Sequence, residues 1–253
     1  MAQENLLAYL LTVSYDGTDF YGWFCHKNRN LQDTILKALK VPVKKILVAS
    51  RTDRGVHAED QKILILIDKK NCPVPICIKK IRSNLPPDIN ILSLTRCGVD
   101  FHPSLNAKQK EYHYRFHLEK GDPFFGRYSL PIGPINLSAI QAALPFFRGY
   151  KNFSALEGAK KRRSDPFCDL FEIDFIQQDE NRFLIKIVAD RFLYLMCRKI
   201  AGTLLYIGYG KLSITTVERG FELASSKNMG PTLPPAGLIL KKITYDRDPS
   251  LFI

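Results

Sequence analysis

Several segments of the chain alternate apolar and polar residues with a period of two, which is the pattern of half-buried strands. The clearest segment is 110–118, whose apolar face comprises Tyr112, Tyr114, Phe116 and Leu118. The runs Leu7–Tyr15 and Ile63–Ile67 predict two more strands. The runs Phe171–Phe175 and Phe183–Ile187 flank a polar turn, so they predict a hairpin in which the apolar side chains of each run share one face.

Apolar residues spaced three and four apart predict four helices between these strands. Asn30 and Asn136 are the expected N-caps of the first two, because a short polar side chain can accept a hydrogen bond from the first helical turn. The third helix is expected over 192–207 and the fourth over 215–224. Since strands and helices mix without strict βαβ alternation, we expect a mainly antiparallel α+β fold.

The length of the chain, 253 residues, suffices for one large domain or two modest ones. We place a boundary near residue 105, which gives an N-terminal α+β half over 1–105 and a C-terminal α+β half over 106–253. No apolar run reaches the ~18 residues that a membrane span needs, and the N-terminus lacks the basic start of a secretory signal. We therefore expect a cytoplasmic protein with no membrane partner.

The charge of the chain is strongly positive: 37 Lys and Arg against 25 Asp and Glu give a net charge of +12. Such a surplus favours a polyanionic partner, because each neutralised phosphate releases counterions, although a merely basic protein is the alternative. The basic run 160–163 is a candidate phosphate contact, with a solvated charge run as its alternative. The six cysteines and five histidines show no zinc spacing, so neither a metal site nor a disulfide framework is expected.

The candidate chemistry lies directly after a short predicted strand at 45–49. Here Asp53 stands between Arg51 and Arg54. Nearby guanidinium groups favour the ionised carboxylate and should lower its pKa, as a nucleophile or base requires. Gly55 permits a backbone conformation that a bulkier residue would resist. A strand-end turn with a local Arg–Asp pair explains the same residues, so both interpretations stay open at this point.

Residues 51–58 have the sequence RTDRGVHA, which closely resembles the RTDAGVHA signature of the tRNA pseudouridine synthase A family. Further blocks resemble that family in the same order along nearly the whole chain. These blocks are Tyr15–Trp23, Asn84–Pro86, Asp100–Tyr114, Phe192–Gly202 and Ala236–Leu238.

The resemblance implies roles for individual residues. Asp53 corresponds to the catalytic aspartate, and Arg198 to the arginine that pairs with it. Arg51 corresponds to an arginine beside the carboxylate, implicated in displacing or replacing the flipped base. Tyr112 corresponds to the tyrosine that stacks on the target uracil, and Leu238 to apolar packing near the pocket. Core packing is the alternative for Tyr112, and an ordinary place on a helix surface is the alternative for Arg198.

The resemblance also implies a fold and a reaction. The fold is the pseudouridine synthase fold, with two ferredoxin-like (RRM-like) halves whose mainly antiparallel sheets join around a central active-site cleft. The reaction isomerises uridine to pseudouridine in the anticodon stem-loop of tRNA, on its 3′ side (tRNA positions 38–40), by a homodimer. Because substrate and product are isomers, no cofactor is expected. A paired base must first be flipped out of its stack.

The chain departs from the family pattern at several positions that concern how the protein binds RNA, among them Ser50 and the stretch 157–170. Phe24 stands where the family usually has glutamine, and Arg54 replaces a small residue. Leu195 stands where histidine is common, and Lys199 replaces an asparagine. The rival hypotheses are a catalytically weak RNA-binding protein or RNA chaperone on the same fold, and a small-molecule enzyme such as a nucleotide hydrolase.

Overall fold

The computed structural model describes residues 5–26, 28–71, 77–118, 125–159 and 165–252. The basic run 160–163, a candidate phosphate contact, lies outside these ranges. The chain divides into two compact units, Met1–Lys108 with Leu240–Ile253, and Gln109–Ile239. Within the described ranges, no helix combines the length and the apolar character that crossing a membrane requires.

The first unit is an antiparallel sheet with helices. Its elements are β1 (Leu6–Tyr15), α1 (Leu31–Leu39), β2 (Val43–Val48), β3 (His57–Asp68), α2 (Ile78–Asn84) and β4 (Ile89–Cys97). Strand β1 lies between β3 and β4 and is antiparallel to both, and β2 pairs antiparallel with β3. Helix α1 begins as predicted, because the Asn30 side chain accepts a hydrogen bond from the Asp33 N–H at 2.9 Å.

Strands β1 and β3 are more deeply buried than their alternation predicts. Leu10 and Leu64, which are opposite each other, belong to a core cluster with Phe101. Leu11 and Ile63, the next opposed pair, lie on the other face and are 0% exposed. The sheet of the first unit is therefore covered on both faces around these strands.

The second unit is also mainly antiparallel. Its elements are β5 (Ala107–His117), β6 (Leu130–Pro131), α3 (Leu137–Ala143), β7 (Gly149–Asn152), β8 (Phe167–Gln177), β9 (Arg182–Ala189), α4 (Met196–Gly208) and α5 (Ile214–Glu222). The strand order is β5-β9-β8-β7, and β6 pairs parallel with β5. Asn136 caps α3 as predicted, by accepting a hydrogen bond from the Ala139 N–H at 3.0 Å. The prediction of a mixed, mostly antiparallel fold is confirmed.

Two predictions in the second unit need correction. The β8–β9 hairpin forms as expected, but Phe171 is 46% exposed because the register shifts between Leu170 and Glu172. The third helix, predicted from residue 192, begins only at Met196. It cannot begin earlier, because Leu195 has φ 63°, a left-handed conformation that no residue inside an α-helix adopts.

The last strand, β10 (Leu238–Tyr245), leaves the second unit after Ile239 and continues in the first. There Lys241 forms an ion pair with Glu59, and the Ile243 N–H donates to the Asp60 carboxylate at 3.0 Å. Residues 240–253 thus belong to the first unit, whereas the predicted C-terminal half of 106–253 contains them. The two halves stay a prediction about domains.

Candidate active site

Asp53 lies in the loop between β2 and β3 and is partly buried, whereas Arg51 and Arg54 on either side are exposed. The loop closes in a tight turn, since the Val56 N–H donates to the Asp53 carbonyl at 3.2 Å. Gly55 within the turn has φ 76°, which glycine adopts at little cost. The glycine of the signature is therefore explained by the backbone of the turn.

The block Tyr15–Trp23 packs directly against this loop through backbone atoms. The Trp23 N–H donates to the Thr52 carbonyl at 3.0 Å. A Cβ on Gly22 would lie 2.7 Å from the same carbonyl oxygen, and Gly22 itself has φ +81°. A Cβ on Gly17 would lie 2.0 Å from the Val56 carbonyl oxygen. Both glycines are thus required for the close approach of the two segments.

Buried polar side chains support the loop from the side of β1 and β3. Gln61 is 0% exposed, and its Nε2 donates to the Ser50 carbonyl at 2.7 Å and to the Tyr15 hydroxyl at 3.2 Å. The Tyr15 hydroxyl, which accepts this bond, also forms a hydrogen bond with the Thr52 Oγ1 at 2.8 Å. Burial raises the pKa of Tyr15 to about 12, so the hydroxyl stays protonated at neutral pH.

Replacing Gln61 with methionine tests this support. The substitution keeps an unbranched side chain but leaves the Ser50 backbone and the Tyr15 hydroxyl without these partners. We expect a loss of ~2 kcal/mol in the free energy of unfolding in urea, the usual cost of unsatisfied buried groups. Any activity that depends on the position of Asp53 should fall ~10-fold or more at a temperature where the variant is folded. The exposed Gln178, changed in the same way, is the control and should change neither quantity. An equal effect of both substitutions would contradict the anchoring role of Gln61.

The two flanking arginines do not pair locally with the carboxylate. Within the described ranges, neither Arg51 nor Arg54 takes part in a hydrogen bond or an ion pair. The Arg54 guanidinium carbon lies instead 4.1 Å from the centroid of the Tyr21 ring. The local Arg–Asp pair, which was the alternative explanation of this segment, is therefore not formed.

In the second unit, the aromatic strand β5 presents Tyr112, which is 5% exposed. Its ring meets that of Phe192 edge to face, with centroids 5.1 Å apart. Tyr114, two residues on, is fully buried and donates its hydroxyl proton to the Pro234 carbonyl at 2.7 Å. Burial raises the pKa of Tyr114 far above its usual value, and the nearby charge of Arg198 opposes this rise. The burial of Tyr112 agrees with core packing as well as with stacking, so its role stays a prediction.

Arg198 lies on α4 and is held by the segment that precedes β10. Its Nε donates to the Leu233 carbonyl at 2.7 Å, and the Leu233 N–H donates back to the Arg198 carbonyl at 3.3 Å. The same segment accepts the Tyr114 hydroxyl at Pro234. Leu238 follows it, 5% exposed, as the first residue of β10. Three predicted elements of the second unit, namely α4, β5 and the start of β10, are thus brought together by this segment.

Helix α4 approaches residues 230–231 so closely that only small residues fit at the contact. A Cβ on Gly202 would lie 1.9 Å from the Pro231 carbonyl oxygen. Beside it, the Gly230 N–H donates to the Thr203 Oγ1 at 2.9 Å. This contact fixes the segment that binds Arg198.

The substitution Gly202→Ala should therefore be strongly destabilising. Because backbone would have to move to accommodate the methyl group, we expect a loss of ~3 kcal/mol in the free energy of unfolding. Gly133→Ala is the matched control, since nothing lies within 4 Å of a Cβ there. Urea unfolding of both variants measures the difference, and equal stability would show that the α4 contact is more compliant than its geometry indicates.

The predicted site residues are thus distributed between the units. Asp53 and Arg51 share a loop of the first unit, and Tyr112, Arg198 and Leu238 lie in the second. Sequence reasoning missed Gln61, whose polar side chain inside an apolar strand was the available signal. Among the described residues, no cluster of three or more His, Cys, Asp and Glu side chains could hold a metal ion.

Comparison with known protein sequences gives consistent results. A family model described as tRNA pseudouridine synthase matches residues 143–246. The tRNA pseudouridine synthase A 1 of a Bacillus cereus strain is 32% identical over 249 residues, covering 93% of this chain and 97% of that protein. The tRNA pseudouridine synthase A of Thermodesulfovibrio yellowstonii is 34% identical over 250 residues, covering 93% and 98%. A solved H/ACA ribonucleoprotein bound to a substrate RNA aligns with a TM-score of 0.38 at 13% identity, covering 78% of this chain and 44% of that one.

Proposed function

Because the chain belongs to the tRNA pseudouridine synthase A family, we propose that it modifies uridines on the 3′ side of the anticodon stem-loop, with Asp53 as the catalytic carboxylate. The enzyme is a tRNA pseudouridine synthase and therefore an isomerase. The observation that best supports Asp53 is the anchoring of its loop, by backbone contacts to Gly22 and by the buried Gln61. A catalytic group must be held in one position, and this loop is held on two sides.

The reaction itself places clear demands on the site. The bond from uracil N1 to ribose C1′ breaks, the base rotates, and a new bond joins C5 to C1′; C5 then releases its proton, and N1 gains one from solvent. No group is gained or lost, so the chemistry needs a base or nucleophile and a pocket for the detached uracil. The nucleotide must leave the stack first, which costs a few kcal/mol.

Three side chains meet the remaining demands in this proposal. Tyr112 stacks on the flipped uracil, and such stacking recovers ~1–3 kcal/mol per base. Arg198, whose Nε donates to the Leu233 carbonyl, corresponds to the arginine that pairs with the catalytic carboxylate in the family, and we propose the same role for it here. Arg51 is exposed and forms no hydrogen bond or ion pair with the described residues, so it is available to take the place of the displaced base.

A product map tests the proposal directly. Uridine-bearing tRNA transcripts are incubated with the protein, and pseudouridine is located along the RNA. We expect product on the 3′ side of the anticodon stem-loop. Binding without product would support an RNA chaperone, and turnover of free nucleotides but not of tRNA would support a small-molecule enzyme. Either result would contradict the proposed function.

Two further expectations come with the family and are part of the proposal. We propose that the enzyme acts as a homodimer that contacts tRNA with both subunits, and that it works in the cytoplasm. The dimer can be measured by sedimentation equilibrium with and without tRNA. A monomer in both conditions would contradict it.

A further inference from the structure

An aromatic–cationic pair lies on the surface beside the catalytic loop. Arg54 directly follows Asp53, and its guanidinium carbon is 4.1 Å from the centroid of the Tyr21 ring. Both side chains are exposed, and Tyr21 retains 38% of its accessible surface. The pair belongs to the first unit, where Gly22 allows the backbone around Tyr21 to approach the catalytic loop closely.

The contact with Tyr21 restricts the guanidinium without using its hydrogen-bonding capacity. A guanidinium carries five N–H donors around its edge, and an aromatic face binds it through the π-system instead. Within the described ranges, Arg54 makes neither a hydrogen bond nor an ion pair. All of its donors are therefore available to a ligand, while the ring limits where the group can move.

The chemistry of this pair selects an anionic oxygen ligand. The planar fork of arginine matches the two oxygens of a phosphate in a bidentate geometry. Because Arg54 is next to Asp53 in the chain, their Cα atoms are ~3.8 Å apart, and the long arginine side chain starts beside the place where the target nucleotide would react. The phosphates nearest to that place belong to the RNA strand that carries the nucleotide.

We propose that Arg54, positioned by Tyr21, binds a backbone phosphate of the RNA strand beside the target uridine. The inference rests on the proposed function for the identity of the RNA. The proposed phosphate contact explains why this chain has an arginine at position 54, where the family signature has a small residue. Arg54 is a substrate-binding residue here, and Tyr21 is a positioning residue that acts through it.

The salt dependence of binding tests the phosphate contact. One phosphate neutralised by Arg54 contributes ~0.9 to the slope of log affinity against log salt, as for duplex nucleic acid. For Arg54→Ala we therefore expect affinity for an unmodified tRNA transcript to fall about 8-fold at ~0.1 M salt but only about 2-fold at ~0.5 M. The rate at saturating tRNA should stay within about 2-fold of wild type, because the contact affects binding and not the reacting atoms. Arg54→Lys should retain the slope and lose part of the affinity.

Arg247 provides the matched control, since it is another exposed arginine of the same unit without a hydrogen bond or ion pair in the described part of the chain. Arg247→Ala removes the same charge, so an equal change of slope in both variants would overturn the assignment to Arg54. An affinity loss that is independent of salt would indicate stacking of a base on the guanidinium, and would also overturn the phosphate contact.

A double-mutant cycle tests the role of Tyr21. Tyr21→Leu should weaken binding less than Arg54→Ala does, and Tyr21→Phe, which keeps the ring, should bind as wild type. The double variant should bind no more weakly than Arg54→Ala alone, because the ring acts through the arginine. Additive losses would contradict the positioning role.

These measurements are separable from the proposed function. If the wild-type protein forms pseudouridine but Arg54→Ala leaves the salt slope unchanged, the phosphate contact is wrong and the function stands. If the wild-type protein forms no pseudouridine, the function is wrong, and the slope still decides whether Arg54 binds an RNA phosphate.

Discussion

Replacement of Asp53 by asparagine is expected to abolish pseudouridine formation, lowering the single-turnover rate ~10⁴-fold or more, the scale of loss seen when a catalytic nucleophile or base is removed. Asparagine has the same shape but carries no negative charge, so it can neither attack nor accept a proton as a carboxylate does. The rate is measured by release of label from a tRNA carrying tritium at uridine C5, since the new C–C bond displaces that hydrogen.

We expect this variant to fold, because asparagine has the same shape as aspartate and the contacts that hold the loop come from other groups. The loop is held by the Thr52 carbonyl, by Gln61 and by the close approach of Gly22, none of which involves the Asp53 carboxylate. We expect tRNA affinity within about threefold of wild type and an unchanged urea midpoint. Asp246→Asn, which removes an exposed carboxylate paired with Lys108 on the surface, is the control and should retain full activity. Activity of Asp53→Asn within tenfold of wild type would exclude the catalytic role.

Much of the fold follows from local sequence signals. The β8–β9 hairpin could be predicted because both strands and their polar turn lie in one short stretch of chain. The starts of α1 and α3 could be predicted because the cap and the N–H that it binds are three residues apart. Such signals are complete within a few residues, so no knowledge of the tertiary structure is needed.

The features that the sequence did not predict depend on contacts between distant parts of the chain. The exposure of Phe171 depends on a register shift against β9, and the late start of α4 depends on the left-handed Leu195. Neither is encoded by the spacing of apolar residues. Gln61 anchors Ser50 from eleven positions away, and Arg54 turns to Tyr21 and not to its neighbour in the chain. These contacts depend on segments that are distant in sequence, and periodicity contains no information about such pairs.

The catalytic assignment had a different origin from the fold. From the residues alone, Asp53 fitted a strand-end turn as well as an active site, and only the resemblance of residues 51–58 to a family signature favoured the second. The structure then removed the local Arg–Asp pair as a competing explanation of the same segment. The structure thus excludes the local ion pair, which the residues alone had left open as an explanation.

Substitution of Arg198 should give the second large loss of activity. Arg198→Lys keeps the positive charge. However, a compact ammonium group cannot replace the planar guanidinium, which donates to the Leu233 carbonyl with its Nε and keeps other N–H donors for a second partner. We expect the rate at saturating tRNA to fall ~10²-fold if Arg198 orients the catalytic carboxylate, as we propose. The KM for tRNA should change little, because the residue contributes to the reacting geometry and not to overall RNA binding.

If Arg198 only stabilised the fold of α4 and did not orient the carboxylate, the variants would lose stability and activity together. Three measurements distinguish these two roles. Arg182→Lys, an exposed arginine paired with Asp179 in the β8–β9 turn, is the control and should retain full activity. In Arg198→Ala, added methylguanidine should restore part of the rate if the missing group acts on the carboxylate, whereas it cannot repair a misfolded second unit. Urea unfolding of Arg198→Lys should stay within ~1 kcal/mol of wild type, since a lysine can still donate to Leu233. If the loss of stability accounted for the loss of rate, and methylguanidine restored no activity, Arg198 would have a structural role in α4 and no role in catalysis.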